Sequence, residues 1–181
     1  AFKKAVARIS ADRPRDWRVL VALPIASFLV GVTSVWVPSI VGNGQASAQT
    51  QFDATWATGM GLAFALLVLL AKTATTLLTI RAGGWGGVLT PAVALGAGLG
   101  AVIGLPWATA WPGSEVAAFA FLGAAAFLGA SMKAPFTGLI LVIEFTGQGP
   151  TILVPAALAV GGATAAATWL SLRASLGRQA R

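Results

Sequence analysis

The chain has no cysteine, no histidine and no tyrosine, and only 9% of its 181 residues are charged, five of them acidic. Each absence removes a kind of chemistry. Without cysteine there is no disulfide framework, thiol nucleophile or iron–sulfur site. Without histidine there is no imidazole metal ligand and no imidazole acid–base catalyst. The few carboxylates are scattered along the chain. They make no pair placed for acid–base work and no oxygen cage for a metal ion. The phosphate-binding pattern GxxxxGK[ST], which ATP-driven transport would need, is also missing. The expectation is a protein that is not an enzyme and carries no cofactor and no metal. The shortage of charge excludes more still. A soluble domain carries about 25% charged residues, and this chain has too few to cover a core with wettable surface.

What is present is apolar. Hydrophobic residues make up 57% of the chain, and the mean hydropathy is +0.83. The class implied is an all-α integral membrane protein in contact with a lipid bilayer. The net charge of +7 does not point to nucleic acid, because no basic stripe interleaved with aromatics accompanies it. Basic residues collect in cytoplasmic loops of membrane proteins. Lys3, Lys4, Arg8, Arg13, Arg15 and Arg18, set against Asp12 and Asp16, make residues 1–18 a basic cytoplasmic or interfacial segment. Residues 19–172 form the transmembrane region, and Arg173, Arg178 and Arg181 mark residues 173–181 as a basic tail. No signal peptide is visible at the start of the chain.

A spanning helix needs roughly 20 mostly apolar residues. Val19 to Val37 is the first candidate and Trp56 to Ile80 the second, with Lys72 expected to snorkel to the interface. Lys72 and Arg81 read first as topology signals and second as attractors of anions toward a pore. The stretch from Ala46 to Thr55 is too polar for lipid and reads as surface, as do Asp53 and Glu115. Leu89 to Leu105 and Val116 to Met132 are apolar but short. A loop from Pro106 to Ser114 carries Trp107 and Trp111, which suit a membrane interface. Phe136 to Thr146 has half a membrane's length and carries Glu144, read as a capped or paired structural acid. It stands about 16 Å of helix from Lys133, too far for a direct pair. Lys133 reads as an interfacial residue at a helix break. Thr151 to Leu172 is the last span. Short apolar segments interrupted by glycine and proline mark helices that stop inside the membrane.

One such interruption is RAGGWGGVLTPAVALGAGLGAVIG, from Arg81 to Gly104. Irregular backbone at membrane depth must be buried in protein or line a watery cavity. A helix starting there leaves its first N–H groups unpaired and turns the positive end of its dipole toward the gap, which suits an anion. Gly86 and Gly87 then admit a small anion to the backbone N–H groups of Val88 and Leu89. Thr90 can add a hydroxyl or simply bond its own helix, and Pro91 sits in the first turn where an N–H is not needed. The residues alone leave a second reading open, in which Gly86 and Gly87 only permit close helix packing. Gly96, Gly100 and Gly104 recur at every fourth position and read as packing glycines.

The stretch GGVLTPAVALGAGLGAVIG resembles the GGxFxP segment and following helix of the CLC family of chloride channels and chloride/proton antiporters. FLGAAAFLGASMKAPFTGLILVIEFTGQGPTILVPAALAVGGATAA resembles that family's next block, with a basic-Ala-Pro-x-Thr-Gly turn at Lys133 to Gly138 and an L-V-x-E-x-T helix end at Leu141 to Thr146. VPSIVGNGQ resembles its proline-containing turn and glycine-rich loop. Together these cover Asp16 to Thr168 in order. The resemblance implies one half of an inverted-repeat fold, a homodimer with a pore in each subunit, and a bacterial inner-membrane location. It further implies chloride, and protons in an antiporter, as what is moved.

Within that resemblance the anion site falls on Gly86, Gly87, Val88, Leu89 and Thr90, and Phe136 and Ile152 fall on segments used for dimer contact, with a lipid-facing or core role as the alternative. The family's GSGIP and G-[KR]-E-G-P segments, pore tyrosine and CBS pair have no counterpart, and Leu89 stands where phenylalanine is usual. The expectation is therefore a C-terminal half that needs the N-terminal half to transport anions. The alternative is a non-transporting fragment or membrane scaffold.

Overall fold

In apolar surroundings a backbone must satisfy its hydrogen bonds within its own segment, and this chain does so with helices. The computed structural model describes residues 2–11, 16–52, 61–84, 86–147 and 149–179, and among them there is no strand. Asp12, Arg13, Arg15, Asp53, Trp85, Arg181 and the beginning of the second apolar run at residues 56–60 lie outside the described residues. The helices are α1 Phe2–Ala11, α2 Val19–Trp36, α3 Gln45–Phe52, α4 Gly61–Arg81, α5 Leu89–Ala110, α6 Val116–Met132, α7 Pro135–Thr146 and α8 Leu153–Gln179. Short 3-10 turns at Pro38–Ile40 and Pro150–Ile152 link α2 to α3 and α7 to α8.

Four segments are long and apolar enough to cross a membrane: α2, α4, α5 and residues Leu153–Ala174 of α8. The helices α6 and α7 are apolar but shorter. The chain is a multi-pass integral membrane protein. Its helices are unequally covered. Within the chain 56% of the spanning part of α5 is buried, against 6% for α2 and 11% for α8, so α5 is the central element. Much of the outside is large and apolar, including Leu20, Phe28, Phe136 and Leu158.

The core is built from small side chains. α5 packs most extensively on α6, and the residues between them include Ala97, Ala101, Ala120 and Ala124. The glycines at every fourth position allow this approach. A methyl group on Gly96 would lie 2.6 Å from the Gly123 carbonyl oxygen, and one on Gly104 would lie 2.6 Å from Phe119 Cβ. These are packing glycines, as their spacing suggests. α6 ends at Lys133, which is exposed and left-handed at φ 55°, and α7 begins with Pro135 at its first position.

Two local expectations need correction. α5 does not stop at Leu105 but runs through Pro106 to Ala110. A proline near a helix end removes one hydrogen bond, which costs less there than ending a helix among apolar neighbours. Trp107 and Trp111 therefore stand one turn apart on and just past that helix, stacked at 5.3 Å between ring centroids. The polar stretch after Ala46 is not simply surface, because α3 buries Ser47, Ala48 and Gln51 against α5 and α6. Glu144 is exposed on α7.

Gln51 is 2% exposed, and neither its amide nitrogen nor its oxygen has a hydrogen-bond partner among the described residues. A buried unpaired polar group costs about 1–3 kcal/mol. Gln51→Met, of similar volume and without polar N–H groups, is expected to stabilise the fold by about 1–2 kcal/mol. A raised melting temperature in detergent would show this, and a lowered one would mean that the amide is bonded.

Candidate anion site

The four glycines around Trp85 divide into two pairs with different work. α4 closes with the Gly83 N–H donating to the Ile80 carbonyl at 3.2 Å and the Gly84 N–H donating to the Thr79 carbonyl at 2.9 Å. Gly83 takes φ +98°, so this is a glycine-terminated helix end of the Schellman type. Gly86 and Gly87 belong to neither helix. Both are exposed, and a methyl group on either would meet no atom within 4 Å. They do not serve close packing.

α5 then starts from Val88, whose φ of −93° and ψ of 3° lie outside the helix and whose side chain makes no cap. The first donor into the helix is the Ala92 N–H, to the Val88 carbonyl at 3.1 Å. The N–H groups before it, at Leu89 and Thr90, have no intrahelical role, and Pro91 has none to place. This end of α5 borders a cavity of about 160 Å³ lined by residues that include Gly86, Gly87, Val88, Pro91 and Lys72. Among the described residues no carboxylate lines it. The α4 side of the cavity is a stripe of Lys72, Thr75, Thr76, Thr79 and Ile80. The Thr75 hydroxyl donates to the Ala71 carbonyl at 2.9 Å and the Thr79 hydroxyl to the Thr75 carbonyl at 2.8 Å. These two donors are used within α4, so the charged group among the residues lining the cavity is the Lys72 ammonium.

The expected site residues do not all gather here. Gly86, Gly87 and Val88 meet Lys72 around one cavity. The Leu89 side chain packs on the core instead. Thr90 lines a separate cavity of about 230 Å³ with Asn43, Gln45, Gln49 and Phe52. Phe136 is 78% exposed, whereas Ile152 is half-buried against the core.

Lys72 overturns its expected place. It does not snorkel to the interface but is 4% exposed. Its Nζ donates to the Ile40 carbonyl at 2.7 Å and to the Gly42 carbonyl at 2.9 Å. Those carbonyls belong to the turn after α2, a more favourable partner than lipid headgroups for a lysine this far inside the chain. Arg81 lies elsewhere, exposed beside Ala22, Ile25 and Leu29 of α2. Sequence reasoning missed the burial of Lys72. The available signal was one cation in an apolar run, with threonines three, four and seven residues on.

Fold and site together define a multi-pass helical membrane protein whose central helix begins at a cavity lined by a buried lysine. The chain belongs to the voltage gated chloride channel family, whose model matches residues 1–168. Curated relatives include the H(+)/Cl(-) exchange transporter ClcA of Yersinia pestis, 34% identical over 158 residues that make up 86% of this chain and 32% of the relative. The transporter of the same name from Klebsiella pneumoniae is 33% identical over 165 residues, 90% of this chain and 34% of the relative. That from Cronobacter sakazakii is 33% identical over 142 residues, 77% of this chain and 29% of the relative. The chain thus spans about a third of the length of these relatives.

Proposed function

We propose that this chain forms part of a chloride transport protein that exchanges chloride for protons, as the names of its relatives state for them. Chloride is held by the backbone N–H groups at the start of α5, those of Val88 and Leu89, with Gly86 and Gly87 leaving the approach open. The observation that carries this reading is the cavity before α5, lined by Gly86, Gly87, Val88 at the helix start and buried Lys72, with no acid lining it among the described residues. A helix N-terminus stabilises an anion through aligned dipoles and free donors, and a low-dielectric surrounding strengthens both. Thr90, facing a different cavity, serves the site through its backbone N–H rather than its hydroxyl.

The working protein needs the rest of the family's fold and is a homodimer in the bacterial inner membrane. Exposed Phe136 suits a contact of that kind better than half-buried Ile152. The chain alone would leave unpaired helix ends toward lipid, which costs several kcal/mol for each unsatisfied group. It is therefore expected to move no chloride by itself.

The test is chloride flux with simultaneous pH recording in liposomes, using the chain assembled with the remaining two thirds of the fold. Chloride movement coupled to protons supports exchange. Chloride movement without protons replaces exchange by channel-type conduction. Absence of flux from a folded assembly rejects the reading in favour of a non-transporting scaffold, and flux from the isolated chain rejects the need for the remainder.

A further inference from the structure

Carbonyl oxygens repel an anion, and two of the residues that line the cavity before α5, Ile40 and Gly42, have carbonyls near that space. Both accept a hydrogen bond from Lys72 Nζ. The lysine reaches them from the middle of α4, across the gap between two helices. It spends two of its three N–H donors on one turn of backbone. Among the described residues no carboxylate pairs with this ammonium, and none lines the cavity. A buried charge without a counter-charge is costly, and hydrogen bonds to neutral carbonyls offset only part of that cost. An anion in the adjoining cavity would supply the rest.

The lysine stem lies beside the point where the turn meets α5. Gly44, at φ +111°, is buried where a methyl group would lie 3.3 Å from Lys72 Cε, 3.2 Å from the Thr90 carbonyl oxygen and 3.3 Å from Ala94 Cβ. The lysine stem, the turn and the first turns of α5 therefore touch at one point. A shift of the turn would move the wall of the cavity relative to the α5 N-terminus.

Resting on the chloride reading above, we propose that Lys72 is the positioning residue of the anion cavity. Its ammonium holds the Ile40 and Gly42 carbonyls so that they do not oppose the anion. It sets the turn against α5, and it provides the uncompensated positive charge that the anion balances. This role differs from long-range attraction at a pore mouth, because it depends on two directed hydrogen bonds and so on the shape of the side chain as well as its charge.

The experiment is equilibrium chloride binding by calorimetry at constant ionic strength, with the chain assembled with the rest of the fold. Lys72→Met is expected to raise the chloride Kd by about tenfold or more, the scale of a lost hydrogen-bonded charge. Lys72→Arg, which keeps the charge and can donate to both carbonyls, is expected to stay within about threefold of the unaltered protein. Hydrogen exchange at the Ile40 and Val41 amides is expected to quicken in Lys72→Met and to be restored in Lys72→Arg. Unchanged chloride binding in a folded Lys72→Met protein overturns the proposal, as does unchanged exchange at that turn. If Lys72→Met does not assemble, Lys72→Gln, neutral and one atom shorter, carries the test with the same two outcomes. Binding without flux in the unaltered protein defeats the transport reading alone. No binding at all defeats the anion reading, and exchange at the turn still decides whether Lys72 holds it.

Discussion

Gly100→Ala is expected to unfold the α5–α6 pair, although it adds one methyl group. The new Cβ would overlap the Phe119 carbonyl oxygen and lie 2.7 Å from its carbon and 2.8 Å from Ala120 Cα. These obstacles are backbone atoms of α6, so no side-chain rotation relieves them. The two helices would have to separate along a face where alanines and glycines now interlock. Overpacking of a core costs about 1–3 kcal/mol where side chains can yield, and the upper end of that range or more applies here. Loss of the monodisperse peak on size exclusion, with a fall in melting temperature, would report it. Gly161→Ala is the matched control. It sits within α8 with no atom inside 4 Å of the added carbon. There the same change removes a helix-weakening glycine and is expected to stabilise by about 0.5–1 kcal/mol. If both variants behaved alike, the close crossing of α5 and α6 would be wrong.

Gly87→Val is expected to separate folding from function in the opposite way. A carbon at this position meets no atom within 4 Å, and the backbone φ lies outside the left-handed region, so a side chain fits without strain. Stability should change by no more than about 0.5 kcal/mol, as for an exposed position with no special feature. Yet the residue lines the cavity before α5, and the branched side chain takes up space that a small anion would need. Chloride flux through the assembled protein should fall by about tenfold or more, which corresponds to about 1.4 kcal/mol of barrier. The measurement is the initial rate of chloride release from liposomes at matched protein content. A folded variant with unchanged flux would place the anion path elsewhere.

The contrast between these two glycines shows where sequence reading stopped. Both sit in one run, and both are small residues near a helix in an apolar chain. The four-residue recurrence of Gly96, Gly100 and Gly104 reveals a packing face, because a helix returns to the same side at about that interval. Gly86 and Gly87 have no such period, and either open backbone or close packing was compatible with them. Only their surroundings separate the two, since the choice depends on atoms distant in sequence. α5 shows a second limit. Pro106 and the tryptophans beside it suggested a loop, but continued helix wins where there is no water to bond a broken backbone. For α3, polarity suggested surface, and a buried face with an unpaired Gln51 amide lies under that average.

Composition and apolar runs by themselves determined an all-α membrane protein without thiol or imidazole side chains, because those conclusions depend on which atoms are present. The helix start at Val88 was legible too, since glycines and a proline before an apolar run are a local signal. Tertiary structure alone decided that Lys72 is buried and bonded to a turn some 30 residues earlier. A charge in an apolar run has two ways to avoid hydrocarbon, outward to the interface or inward to backbone carbonyls. Which one it takes depends on whether another segment delivers those carbonyls to it.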